Sequence, residues 1–240
     1  MLFAIADLHL SISTGEKKSM EVFPGWEYYQ ERIEANWHDV VGEDDTVVVA
    51  GDFCWAMGLE NALPDFKFLN ALPGKKILLK GNHDYWWSTV SKMESFLRTN
   101  GIDSVSFLHN SAARVGGVSI CGTRGWFFDA ERDEDKKIVL REQGRLERSI
   151  DCARALGGEP VAFMHYPVVS ATNRCEELFG VLKEKKIRRC CYGHIHSTKR
   201  FQRVDGELEG VAFQLIAADY LDFTPILITD PEEKYEEKDL

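Results

Sequence analysis

A chain of 240 residues, 44% hydrophobic and with a formal net charge of −10, has the length for one globular domain or at most two. That acidity works against a long nucleic-acid duplex as partner unless a local basic groove offsets it. No stretch reaches the roughly 20 apolar residues of a membrane-spanning helix.

From the N-terminus, Phe3 to Ala6 reads as a short buried strand followed at once by Asp7-x-His9. No basic segment or cleavage site accompanies it, so no secretion signal is read and a cytoplasmic protein is expected. Ser11 to Gly25 is a polar loop placed to overhang whatever Asp7 and His9 form. Trp26, Tyr29, Ile33, Trp37 and Val40 then recur at helical spacing. Val47 to Ala50 reads as a second strand and ends in Gly51-Asp52. Leu59, Ala62, Leu63, Phe66 and Leu69 predict a helix, and Ile77 to Leu79 a strand that runs into Gly81-Asn82-His83-Asp84. Tyr85-Trp86-Trp87 follows directly; it suits packing against a sheet better than stacking on a nucleobase.

Val90, Met93 and Leu97 give a third helix, Val115 to Cys121 a strand, and Leu146, Ile150 and Ala153 a fourth helix. Val161 to Met164 is a strand ending at His165. The basic stretch Lys183 to Arg189 reads as a solvated helix end leading into the strand Cys190 to Tyr192, which stops at Gly193-His194-x-His196. Val211 to Ala217 and Pro225 to Ile228 are further strands, and Asp205-Gly206 has the chemistry of a hairpin turn between Arg200–Val204 and the strand near Val211. The motifs from Asp7 to His196 belong to one site, so residues 1–229 are expected to form a single domain, with 230–240 a charged tail. Strands alternating with helices imply a largely parallel core.

Five strands thus end in polar residues, and ligands of open α/β sheets sit outside the carboxyl ends of strands. Aspartate, asparagine and histidine offer oxygen and nitrogen donors in number enough for two metal ions. In extended backbone, residues two apart face the same way, so Asp7 and His9, and His194 and His196, can each face one metal. Five of the seven histidines lie in this ordered set; His38 and His109 join no cluster. The six cysteines show no C-x-x-C spacing and read as reduced packing residues, with Cys190 and Cys191 facing opposite sides of a strand.

With D-x-H, G-D, G-N-H-D, H and G-H-x-H in that order, the chain resembles the calcineurin-like metallophosphoesterase superfamily. The resemblance implies an α/β fold of two packed mixed sheets flanked by helices, a four-layer sandwich. It implies one metal on Asp7, His9, Asp52 and His196 and a second on Asp52, Asn82, His165 and His194, with Asp52 bridging. Two metals roughly 3.5–4 Å apart lower the pKa of a bridging water and clamp the phosphoryl oxygens for in-line attack. His83, with no metal assigned, is the candidate general acid, and Asp84 is expected to orient its imidazole. The donor set suits manganese, with iron or zinc as alternatives. Arg124, in Gly122-Thr123-Arg124-Gly125-Trp126, is a candidate phosphate clamp, its alternative being a surface ion pair. The expected activity is hydrolysis of a small phosphomonoester or phosphodiester substrate. An amidohydrolase would place H-x-H first, which this chain does not. A non-catalytic metal-binding scaffold on the same fold is the remaining alternative.

Overall fold

The computed structural model describes residues 1–126, 133–196 and 203–229. Its first sheet takes β1 (Leu2–Ile5), β2 (Thr46–Ala50), β3 (Lys75–Leu79) and β4 (Val105–Phe107) in parallel order, with β11 (Ile226–Thr229) antiparallel beside β1. The second sheet holds β6 (Val118–Thr123), β7 (Glu159–Met164), β8 (Arg189–Tyr192) and β10 (Val211–Leu215) in parallel, flanked by antiparallel β5 (Ala113–Val115) and β9 (Gly206–Leu208). Helices α1 (Tyr29–Val40), α2 (Leu63–Ala71) and α3 (Val90–Thr99) separate the strands of the first sheet; α4 (Asp133–Leu156) and α5 (Glu176–Glu184) do so in the second.

The strand side chains show why the sheets are stacked. On β1, Leu2 and Ala4 pack into a core with Ile120, Val161, Phe163 and Cys191 of the second sheet, while Phe3 and Ile5 join a separate core with Ile33, Trp37 and Phe66 of the first helices. A strand apolar on both faces must be covered on both. On the far side, Cys190, Ala162 and Met164 pack against Leu146, Ile150 and Leu178 of α4 and α5. The layers are therefore helix, sheet, sheet, helix. Tyr29, Ile33 and Trp37, four residues apart, are fully buried on α1, and each such side chain contributes about 1.5–3 kcal/mol. Cys190 and Cys191 do face opposite cores, and all six cysteines are free thiols.

Two local expectations need correction. Val115 to Cys121 is a hairpin: β5 and β6 pair antiparallel through Gly116 and Gly117. The later hairpin turns at Glu209 and Gly210, both at positive φ, which joins Leu208 to Val211 and matches the twist of a two-residue turn. Asp205 instead accepts a hydrogen bond from the Leu215 amide, 2.8 Å away; part of Arg200–Val204 lies outside the described residues. The spacing of Leu146, Ile150 and Ala153 falls within α4 (Asp133–Leu156), as expected. The tail 230–240 also lies outside the described residues. Among the described residues, no helix is long and apolar enough to cross a membrane.

Candidate metal centre

The carboxyl ends of both sheets' parallel strands meet at one place. Ala6 joins them: its amide donates to Ile216 O at 2.7 Å, and its carbonyl accepts from Ala218 N at 2.8 Å. Asp7 and His9 follow β1, Asp52 follows β2, and Asn82 follows β3; His165 follows β7, and His194 and His196 follow β8. Asp7, His9, Asp52 and His194 all have φ between 47° and 69°. Non-glycine residues in the left-handed region cost of order 1–3 kcal/mol each and gather where function holds them. The D-x-H segment is therefore not extended as the two-residue spacing implied, although Leu8 still points away into the core. Nor does each pair face one position. His196 Nε2 lies 3.3 Å from His9 Nε2, whereas His194 Nδ1 lies 3.0 Å from Asn82 Oδ1.

Asp52 sits at the centre. Its Oδ1 accepts the His83 amide at 2.7 Å. Its Oδ2 lies 3.7 Å from His9 Nε2 and 3.5 Å from His165 Nε2. His165 has Nδ1 on the Ala50 carbonyl at 3.2 Å, which leaves Nε2 facing Asn82 Oδ1 at 2.6 Å. Asp7 Oδ2 accepts from the His194 amide at 2.8 Å, and Asp7 Oδ1 is buried without a hydrogen-bond partner. Asp7, His9 and His196 form one group able to hold a cation, and Asp7, Asp52 and His165 another.

The charges fit a cation. Burial pushes the Asp7 carboxyl up, with the Asp52 carboxylate adding to it, and burial raises Asp52 to about 6. Burial pulls the His9 imidazole down and lowers His165 to about 3, so both rings are neutral, the form that binds metal. Two buried carboxylates among neutral imidazoles, one with an orphaned oxygen, call for positive charge between them. The donors are nitrogen and oxygen throughout, which suits divalent transition metals.

The sequence profile described as calcineurin-like phosphoesterase matches residues 2–198. The chain belongs to this family. Phosphopantetheinyl hydrolase of Mycobacterium tuberculosis is similar in structure, with a TM-score of 0.50 at 14% identity over 95% of this chain and 96% of that one. The protein TT1561 of Thermus thermophilus also has a TM-score of 0.50, at 11% identity over 84% and 85%. A third solved structure reaches 0.55 at 12% identity over 89% and 88%. These similarities carry the fold alone. No curated protein matches the sequence significantly.

Around the ligands of this calcineurin-like phosphoesterase, the expected role of Asp84 is not met. Its Oδ1 accepts from Phe53 N at 2.9 Å and Trp86 Nε1 at 3.0 Å, and its Oδ2 from Asp52 N at 3.0 Å and Gly81 N at 2.7 Å. Both oxygens are engaged in tying the β2 and β3 loops together, not in holding the His83 ring. That ring is packed 4.6 Å from Trp55, whose indole also stacks on His9 at 4.8 Å, and the Tyr85 hydroxyl lies 3.4 Å from His83 Nδ1. Of the aromatic triplet, Trp86 is buried, Trp87 packs on Phe107, and Tyr85 is exposed beside His83. The Ser11–Gly25 loop does reach the site: Lys18 lies over Trp55, and Trp26 beyond it meets His9 and His196 edge-on.

Sequence reasoning missed Asp219, whose Oδ1 lies 3.2 Å from His196 Nδ1. Burial acts to lower the His196 pKa, but Asp219 and then Asp7 raise it. A carboxylate at Nδ1 fixes a metal-binding tautomer with Nε2 free. The signal was present, since Asp219 comes after the end of β10 as the other polar residues come after their strands. His109 lies on the Trp87 side of the site, 6.2 Å ring to ring. Arg124 is close enough to His165 to affect its charge, yet its Nε is buried without a hydrogen-bond partner.

Gly81 shows how little room the bridging position leaves. A Cβ there would collide with Asp52 Oδ1 and the Asp52 amide. Gly81→Ala is expected to lose about 1–3 kcal/mol of stability through overpacking and to bind less metal, because Asp52 must move. Elemental analysis beside thermal unfolding checks this; full metal content in the variant would show that the loop relaxes without disturbing Asp52.

Proposed function

We propose that this phosphoesterase is a two-metal enzyme that hydrolyses a small phosphomonoester or phosphodiester. In this reading Asp7, His9, Asp52 and His196 hold one divalent ion, and Asp52, Asn82, His165 and His194 the other. The observation that carries it is Asp52 Oδ2, placed between the Nε2 atoms of His9 and His165 while Oδ1 is taken by an amide. That supports bridging through one oxygen. Two ions held there supply an activated water and neutralise the phosphoryl oxygens for in-line displacement. Manganese fits the mixed donors, with iron or zinc as alternatives. Six free thiols support a reducing, cytoplasmic setting. We test the activity with manganese-loaded protein on p-nitrophenyl phosphate and bis-p-nitrophenyl phosphate. Turnover of neither, at two metals per chain, would leave the non-catalytic scaffold.

His83 adjoins the ligand Asn82, and its ring carries none of the close donor contacts that bind His165, His194 and His196 to the centre. We assign it the proton given to the leaving oxygen, with Trp55 and Tyr85 positioning the ring. His83→Ala is expected to keep both metals and to slow turnover by about 10²–10⁴-fold for poor leaving groups. The loss should be much smaller for nitrophenolate, which departs without a proton. An equal loss across leaving groups would remove the assignment.

A further inference from the structure

We propose that Lys80, Arg124 and Arg145 form an anion site beside the metal centre, which binds a second phosphoryl group of the substrate. The ester cleaved would then carry two neighbouring phosphate groups, such as a phosphoanhydride. This deepens the phosphoesterase reading above and rests on it for the nature of the substrate.

The three cations line one small cleft together with His109, Asn110 and Thr123. Lys80 and Arg124 repel each other, and Arg145 adds to the same field at both Lys80 and His109. Their positions place the cleft at the second-metal side of the centre. Lys80 immediately precedes Gly81-Asn82, and the Arg124 carbonyl accepts from the amide of Tyr166, the neighbour of His165, at 2.9 Å.

The cluster is short of counter-charge. The guanidinium of Arg124 makes no hydrogen bond or ion pair among the described residues; its face lies 4.8 Å from the Trp126 ring, and its Nε is buried and unsatisfied. Lys80 likewise has no ion pair among the described residues. Of the nearby carboxylates, Glu142 offsets only Arg145, and Asp84 is engaged by the loops. Glu142 is fully buried, pairs with Arg145 at 2.7 Å and accepts from Thr123 and Gly125; Asp84 is saturated by four N–H donors. Asn110 also has a buried oxygen without a partner. Because an amide's O and N ends are interchangeable in such an assignment, a flip would present its NH₂ to the same cleft. Like charges held together with unmet donors are costly unless an anion joins them. Among the described residues Arg124 has no ion-pair partner, which favours the phosphate clamp over the surface ion pair that its sequence context also allowed.

The test uses manganese-loaded protein and two uncleavable probes, methylphosphonate and methylenediphosphonate, in calorimetric titrations with metal content checked afterwards. The wild type is expected to bind the diphosphonate about tenfold or more tighter than the monophosphonate, as one or two charge-assisted hydrogen bonds would give. Lys80→Gln should erase most of that preference while changing monophosphonate affinity by no more than about twofold. Arg124→Lys, which keeps the charge but loses the planar fork, should fall between them. No diphosphonate preference in the wild type, or equal losses for both probes in Lys80→Gln, would overturn the site. Because neither probe is hydrolysed, these results stand apart from the nitrophenyl assays on which the phosphoesterase reading depends.

Discussion

Asp52→Ala is expected to empty both metal positions together and to abolish turnover. The carboxylate makes two kinds of contact. Oδ2 faces His9 on one side and His165 on the other, and Oδ1 receives the amide of His83. Alanine removes the group placed between the two ligand sets and leaves the His83 amide without its acceptor, a further cost of about 1–3 kcal/mol. His83 would lose its place along with the metals, so rescue by excess manganese should be poor. Asp52→Asn separates the effects: it keeps an oxygen for the amide but gives up the negative charge that holds two cations. Elemental analysis is the deciding measurement. Two metals per chain in Asp52→Ala would mean that Asp7, which also appears in both cation groups, is the bridge instead.

The largest stability loss is expected at Asp84. Its carboxylate receives four donors, from Asp52 N, Phe53 N, Gly81 N and Trp86 Nε1, all in a fully buried setting. Asp84→Ala orphans every one of them at once. Each unsatisfied buried donor costs about 1–3 kcal/mol. Water entering the space recovers part of that, so a net loss of about 3–5 kcal/mol is expected, a large part of a typical domain's total stability of roughly 5–15 kcal/mol. Asp84→Asn should lose less, since one oxygen remains, but its NH₂ must face an N–H donor. Urea unfolding of metal-free protein measures the difference, with an unchanged m-value as the check that the same transition is compared. A shift below about 1 kcal/mol in Asp84→Ala would show that the loops hold each other by other means.

The two cases show which parts of this molecule a linear reading can reach. The candidate ligands stood out because each stands at the end of a short apolar run, and strand ends gather in space. The parallel α/β alternation was legible in the apolar runs and helical spacings, whereas the two-sheet layering came from the family resemblance; strands apolar on both faces explain why the sheets stack. What failed was finer. Asp84 looked like a partner for His83 because the two are adjacent, but adjacent side chains need not point at one another, and four N–H donors claimed the carboxylate first. The two-residue spacing allowed His194 and His196 to face one way, whereas His194 is left-handed and the two rings reach different donors. Asp219 was missed because it belongs to no ordered motif, although it stands past a strand end as the ligands do. Hairpin turns went astray where two candidate glycine sites competed, at Gly206 and Gly210, and only strand register decides between those.

The stitching of β1 into its surroundings has a consequence for how the protein is made. β1 pairs with β2 on one edge and with β11 on the other, and Ala6 is bridged to Ala217. Once made, β1 therefore waits for partners more than two hundred residues later in the sequence. At about 5–20 residues per second, one edge of β1 stays unpaired for roughly ten seconds or more, and Asp7, His9, Asp52 and Asn82 exist before His165, His194 and His196 have been translated. On the two-metal reading proposed above, loading belongs to the moment after the late strands arrive, when the two sheets close on one another.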